Sequence, residues 1–285
     1  MQRHAIAGQT IQQFERIHGD LGAWRPSDPH GVCETAETWL HRELPGEMAI
    51  VSFGSLPVRI RTGQGAAPFG ILFAMAIDEE GAKDVLGLWG RDGRACDDWR
   101  DPMRDLRARG LTSIRIVQGD FDQAFASAAR DHYPDAIVQD CISALLTRTL
   151  LLAPPRQRSS LHASLRAILH APDAASAAAG LAAFARGRQG QRYPDVVALW
   201  RSRWPGIATL FELPPALRPF LESFDAGSSL KAKFARRASQ LPTHFREPSA
   251  AILAVGAELQ NVVRGGWRVA PHLWAGPRRQ LARQA

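Results

Sequence analysis

The sequence predicts an α/β protein: a mixed sheet flanked by helices, with an all-helical insertion before the last helix of the core. Three observations predict it. Three apolar or alternating runs joined by short turns fill residues 47–90. Strand-like and helix-like segments then alternate through residue 152. Residues 160–222 hold helical spacing between prolines and no strand-like run.

The elements follow in order. Ile11 to Ile17 spaces its apolar residues as one amphipathic helix, and "AWRPSDPHG" is a loop. "EMAIVSFGS" is an apolar strand-like run, and "LPVRIRT" alternates. "TGQGAAP" is a hairpin-type turn before the buried strand "FGILFAMAI". "DEEGAK" turns the chain into a third strand, "DVLGLWG", so these strands form an antiparallel meander. "ACDDWRDPMRDLRARGL" reads as a helix with glycine near its end, and "TSIRIVQGD" as a fourth strand. "FDQAFASAARDHYPD" is a helix stopped by Pro134, and "AIVQDCISALLTRTLLL" is a short strand leading into a helix. A meander followed by alternating strands and helices is the layout of an RNase H-like core.

The composition changes after "APPRQRSS". "SLHASLRAILHA", "DAASAAAGLAAFARGRQ", "PDVVALWRSRW" and "PPALRPFLESF" make the helical insertion. Trp200 and Trp204 fall at i and i+4 on one predicted helix face and read as insertion core. "SSLKAKFARRAS" then places Lys231, Lys233, Arg236 and Arg237 within two turns of a basic helix. Such a helix is either a solvated face or a phosphate contact. "EPSAAILAVGAELQNVV" is a further helix, and the tail with Trp267 and Trp274 has no clear pattern. The expected organisation is a helical remnant and linker over 1–44, the first part of the core over 45–153, the insertion over 154–222, and the last core helix with basic C-terminal helices over 223–285.

The chain has 285 residues, 45% hydrophobic and 22% charged, which fits a globular protein with a sizeable core. No apolar run approaches a membrane span, and the N-terminus lacks the apolar stretch of a signal peptide. Cys33, Cys96 and Cys141 lie too far apart for a zinc spacing or a disulfide framework. A cytoplasmic setting is expected, with nucleoid association when bound to DNA. Net charge is +7. That favours a polyanionic partner, nucleic acid first. Only three of the 35 basic residues are lysines, however, so a GC-rich codon bias accounts for part of the balance. "GQGAAPFG" is a hairpin turn that precedes no helix, which argues against a nucleotide-binding phosphate loop.

Several stretches in this order carry a resemblance. "AMAIDEEGAKDVLGLWG", "LRARGLTSIRIVQGDFDQAFASAARDHYPDAIVQDCI", "YPDVVALWRSRW" and "FELPPALRPFLESFDAGSSL" resemble the Mutator-type, or IS256 group, of insertion-sequence transposases. The likeness runs from about residue 10 to about residue 280. It implies an RNase H-like core with a helical insertion, and DNA cutting and joining at transposon ends. It also implies Mg²⁺ held by three carboxylates in a two-metal phosphoryl transfer. The first acid position falls on Gly54, the second on Asp120 and the third on Ser228. Only Asp120 is an acid. A family signature of Cys followed three residues later by His survives as Cys141, with Ala144 at the histidine position.

One carboxylate cannot hold two metals in a reactive geometry, so any Mg²⁺ at Asp120 is expected to bind weakly. The resemblance therefore implies a degenerate transposase that retains DNA binding, with Arg59, Lys231, Lys233, Arg236 and Arg237 as its contacts. The helical DNA-binding region that precedes the core in the family is expected to be largely missing. Two other readings compete. A working enzyme would recruit displaced acids from Asp78, Asp122 and Asp225 around Asp120. A non-catalytic regulator would bind DNA or pair with an intact transposase. Joining two DNA ends implies a homodimer when active.

Overall fold

The computed structural model describes residues 35–91, 99–119, 123–224, 226, 230 and 244–281. The expected helix at Ile11–Ile17, Cys33, Cys96 and the basic helix at Lys231–Arg237 lie outside the described residues.

Five strands form one sheet: β1 (Glu47–Thr62), β2 (Gly65–Ile77), β3 (Lys83–Arg91), β4 (Ser113–Gly119) and β5 (Ile137–Asp140), in the order β3-β2-β1-β4-β5. The first three are antiparallel neighbours, while β4 runs parallel to β1 and to β5. This is the RNase H-like mixed sheet that the meander and the later alternation predict. The two runs read as "EMAIVSFGS" and "LPVRIRT" are one strand of 16 residues. Its hairpin is tighter than the sequence suggests. Thr62 already pairs with Gly65, whose φ of 131° is open to glycine and strained for other residues. Both strands therefore run on beyond their pairing with β4 and β3 as a hairpin arm, which still buries Leu56, Ile60 and Phe69 in the core.

The sheet is buried on both sides because its strands alternate two apolar sets. Along β2, Ile71, Phe73, Met75 and Ile77 face one core, and Leu72, Ala74 and Ala76 the other. The second core is closed by α2 (Arg100–Ala108) and α3 (Gln123–His132), through Met103, Leu106, Phe125 and Ala129. There the rings of Phe53, Trp99 and Phe125 meet edge to face, with centroids 5.6 to 5.9 Å apart.

The first core is closed by α1 (Ala36–Leu40), α4 (Ile142–Leu151) and the insertion. The insertion comprises α5 (Pro155–Leu169), α6 (Ala174–Arg186), α7 (Arg188–Arg192), α8 (Pro194–Ser202), α9 (Trp204–Ala208), a 3₁₀ turn at Thr209–Phe211 and α10 (Arg218–Ser223). Its starts carry the expected signals. Asp173 accepts from the Ser176 amide at 2.7 Å to cap α6, and Pro155, Pro194 and Pro205 sit in first turns. Leu161, Leu165, Trp200, Ile207 and Leu210 join the apolar cluster under the sheet.

Trp200 is buried there, and its indole N–H donates to Thr149 Oγ1 of α4 at 3.0 Å. Trp204 is half-buried against the same cluster, but not on the same helix. The chain breaks at Arg203 because Pro205 starts a new helix, so the single helix expected over "PDVVALWRSRW" is two.

After the insertion, α11 (Pro248–Arg264) is the expected helix. The tail that had no clear pattern forms α12 (Pro271–Leu281), with Pro277 inside it. Trp274 of α12 covers Gly81 in the β2–β3 turn and donates to the Glu79 carbonyl at 2.9 Å. Among the described residues no helix is long and apolar enough to cross a membrane.

Candidate active site

The carboxyl ends of β4 and β5 lie side by side at one end of the parallel part of the sheet, next to the middle of β1, which runs on past them. In an open α/β sheet that end is where loops gather functional groups. The β1–β4 pairing ends at Ser52 and Gln118, two residues before Gly54 and two before Asp120. The β4–β5 pairing ends at Gly119 and Asp140. Asp120 follows Gly119 directly and lies outside the described residues, as do Asp122, Asp225, Ser228, Lys231, Lys233, Arg236 and Arg237. Phe224, Ala226 and Leu230, which bracket the third acid position in sequence, are buried.

At Gly54 the geometry is closed. Its strand partner is Phe73, and a Cβ built on Gly54 would stand 2.5 Å from the Phe73 ring. Phe73 is fully buried, so the ring fills the space a side chain would need. Gly119 is capped in the same way by Phe125, at 2.5 Å. Beside Gly54 on the same strand, Ser52 donates to Gln118 Oε1 at 2.9 Å within a buried pair. The Gln118 amide nitrogen is buried and has no hydrogen-bond partner among the described residues. Among the described residues the groups lining this part of β1 are thus a hydroxyl, an amide and a phenyl ring, none of them an anionic metal ligand.

The end of β5 is built differently. Asp140 is fully buried, and its Oδ2 lies 3.8 Å from a guanidinium nitrogen of Arg203, at the α8–α9 junction. The neighbouring Gln139 is held by the same part of the insertion. Its amide donates to the Gly206 carbonyl at 2.9 Å, and its oxygen accepts from Thr209 at 3.0 Å. The Cys141 amide donates to the Gly119 carbonyl at 2.8 Å, tying the two strand ends together. Its thiol donates weakly to the Phe224 carbonyl at 3.9 Å, where the chain leaves α10 towards Ser228. Ala144 sits half-buried one turn further along α4. Asp140 and Arg203 were not singled out by sequence reasoning. The position rule that marked Asp120, an acid ending a parallel strand, marks Asp140 equally well.

The other nominated residues are dispersed. Asp78 ends β2, which runs against β1, so it lies at the opposite end of the sheet. There it accepts the Ala82 amide at 2.8 Å and shapes the β2–β3 turn. Arg59 is exposed on the hairpin arm, five residues beyond Gly54, or about 17 Å along an extended strand. One of its guanidinium nitrogens donates to the Ala66 carbonyl at 2.8 Å. A cleft of about 550 Å³ opens between α3 and the α8–α9 junction, lined by Gln123, Ser127, Arg130, Asp131, Ser202 and Pro205. Among the described residues no three His, Cys, Asp or Glu side chains converge to hold a metal.

Comparison with known proteins bears on the whole chain. A family model described as "Transposase, Mutator family" matches residues 29–268. The chain is 30% identical over 251 residues to the transposase for insertion sequence element ISRM3 of Rhizobium meliloti, covering 88% of this chain and 62% of that protein. A probable transposase for an ISRM3-like element of Sinorhizobium fredii matches with the same identity and coverage. A probable insertion-sequence transposase of Corynebacterium diphtheriae is 28% identical over 231 residues, covering 81% of this chain and 67% of that one. The chain therefore spans about three fifths of the length of the first two.

Proposed function

The chain belongs to the Mutator family of transposases, and from that premise we propose that it binds the DNA of insertion-sequence ends with its cutting and joining chemistry impaired. The observation that carries the second half is Gly54. Two-metal phosphoryl transfer needs several anionic oxygens in fixed geometry around hard cations. Position 54 supplies no side-chain oxygen, and the Phe73 ring occupies the space where a side chain would stand. Ser228, at the third position, supplies no carboxylate either. The residues present do not fit a two-Mg²⁺ site.

The first half rests on charge and on the family. The chain carries a net +7, and the matched relatives are transposases, whose substrate is DNA. Asp120 then marks the place of a former site, and DNA contact becomes the surviving property, with Arg59 and the basic run from Lys231 to Arg237 among the contacts. Pairing two DNA ends calls for a homodimer, and a cytoplasmic, nucleoid-associated location follows from the substrate.

Binding and cutting can be followed in one reaction, with labelled insertion-sequence end DNA and Mg²⁺. The expected result is a salt-sensitive shift with no nicked product, unchanged in cutting by Asp120→Ala. Divalent-dependent nicking that Asp120→Ala abolishes overturns the impaired reading. No shift at low salt overturns the binding reading.

A further inference from the structure

The insertion holds nine arginines against four acids, and the structure shows how each arginine is used. Arg166 pairs with Glu222 at 2.6 Å, and Arg203 faces Asp140. Arg218 donates to the carbonyls of Phe211, Leu213 and Pro172, and Arg158 to that of Ala153. These four are structural. Arg156, Arg186, Arg188, Arg192 and Arg201 are exposed and have no ion pair among the described residues. Four of these five gather where α5, α6 and α7 meet. We propose that Arg156, Arg186, Arg188 and Arg192 form a docking surface for the phosphate backbone of duplex DNA. It is separate from the sheet end and rests on the DNA-binding reading above.

The local architecture brings these positions together. Gln189 of α7 is clamped to α5 on both sides of its amide. It accepts from Ser164 Oγ at 2.7 Å and donates to Ser160 Oγ at 2.8 Å. Arg156 lies one turn before Ser160 on α5, so both are on one face. Gly190 is buried with its backbone against the end of α6. A Cβ there would come within 2.2 Å of the Phe184 carbonyl and 2.6 Å of Ala185 Cα. No larger residue fits, so α7 can lie on α6 only in this way. Arg188 and Arg192 are four residues apart on α7, and Arg186 ends α6 immediately before it. The Arg192 guanidinium stacks over the Tyr193 ring at 5.6 Å, which orients it.

This arrangement is unfavourable within the chain. Like charges at i and i+4 destabilise a helix by about 0.2–0.5 kcal/mol, and among the described residues no acid pairs with them. Asp195 is the nearest acid in sequence to Arg192. It sits in the first turn of α8, where the helix dipole favours a negative charge, and makes no ion pair with Arg192. A polyanion offsets the repulsion. The planar guanidinium presents paired N–H groups that match phosphate oxygens, so several on one rigid surface suit a regular phosphate track. Such contacts fix position without reading sequence, so binding here should be sequence-independent.

The test measures binding of the full chain to a labelled duplex of arbitrary sequence across a salt series, by fluorescence anisotropy. The variant Arg186→Gln/Arg188→Gln/Arg192→Gln removes three charges. A control variant, Arg201→Gln/Arg246→Gln/Arg279→Gln, removes three exposed charges elsewhere. Each phosphate contact contributes about 0.9 to the slope of log K against log salt. The patch variant should lose about 2–3 from that slope and more than tenfold in low-salt affinity. Arg156→Gln alone should lose about 1 from the slope. The control should stay near wild type. Unchanged circular dichroism and thermal midpoint show that the patch variant is folded. Equal losses in patch and control variants overturn the proposal, as does a patch variant that binds like wild type. Anionic-vesicle binding that the patch variant loses while its DNA binding persists overturns it too. If the wild-type chain fails to bind DNA at all, the broader DNA-binding reading falls, a result distinct from these.

Discussion

The middle of β1 and the end of β5 stand two strands apart in the sheet and are furnished in opposite ways. At β1 the position of an expected acid is glycine, and a buried phenyl ring fills the space beside it. At β5 a carboxylate is buried completely and faces an arginine from the insertion. The first is filled by apolar packing. The second keeps a charge, and uses it together with Gln139 and Thr209 to seat the insertion on the core. A carboxylate at a strand end is thus no sign of chemistry by itself. What surrounds it decides whether it can reach a substrate, and Asp140 is enclosed.

That contrast can be broken at its strongest point first. Arg203→Met should remove the guanidinium that faces the buried Asp140 carboxylate and destabilise the chain by about 3 kcal/mol. Pairing it with Asp140→Asn should recover much of the loss. Denaturant unfolding measures both, and equal losses in the single and double variants would break the idea that the pair acts as a unit. A smaller effect is expected at β1. Gly54→Asp forces a side chain against the Phe73 ring, at about 1–3 kcal/mol. Phe73→Leu should make the acid easier to accept, seen as favourable coupling in a double-mutant cycle. Strict additivity would mean that the ring is not what excludes a side chain from position 54.

The smallest effect lies away from both places and provides a reference. Burial holds His132 below its ordinary pKa, and repulsion from Arg104 and Arg107 adds to this. The folded chain takes up that proton at lower pH than the unfolded chain does. Stability should therefore fall as pH drops from about 7 to 5.5, through the ordinary histidine range. His132→Gln should flatten this decline in the thermal midpoint while leaving both places untouched.

Much of the fold was legible because its signals are local. The alternating sets of β2 and the prolines that open α5 and α8 announce their elements. Other features were not local. The full length of β1 and β2 depends on pairing across the two-residue turn at Gly63 and Gln64, which the longer turn read at "TGQGAAP" conceals. Helix α12 carries an internal proline, and its packing of Trp274 onto Gly81 joins segments nearly two hundred residues apart in sequence. At the site, the loss of an acid at Gly54 was readable through the resemblance, but the ring that takes its place was not, because cross-strand register supplies it. Asp140 looked like any acid in "VQDCI" until the insertion brought Arg203 to it.

Direct titration with Mn²⁺, read by calorimetry or by the electron paramagnetic resonance of the free ion, tests the central claim that a transposase core persists here without its metal site. The predicted result is no saturable binding at millimolar metal, with wild type and Asp120→Ala indistinguishable. Two saturable sites that both vanish in Asp120→Ala would contradict it.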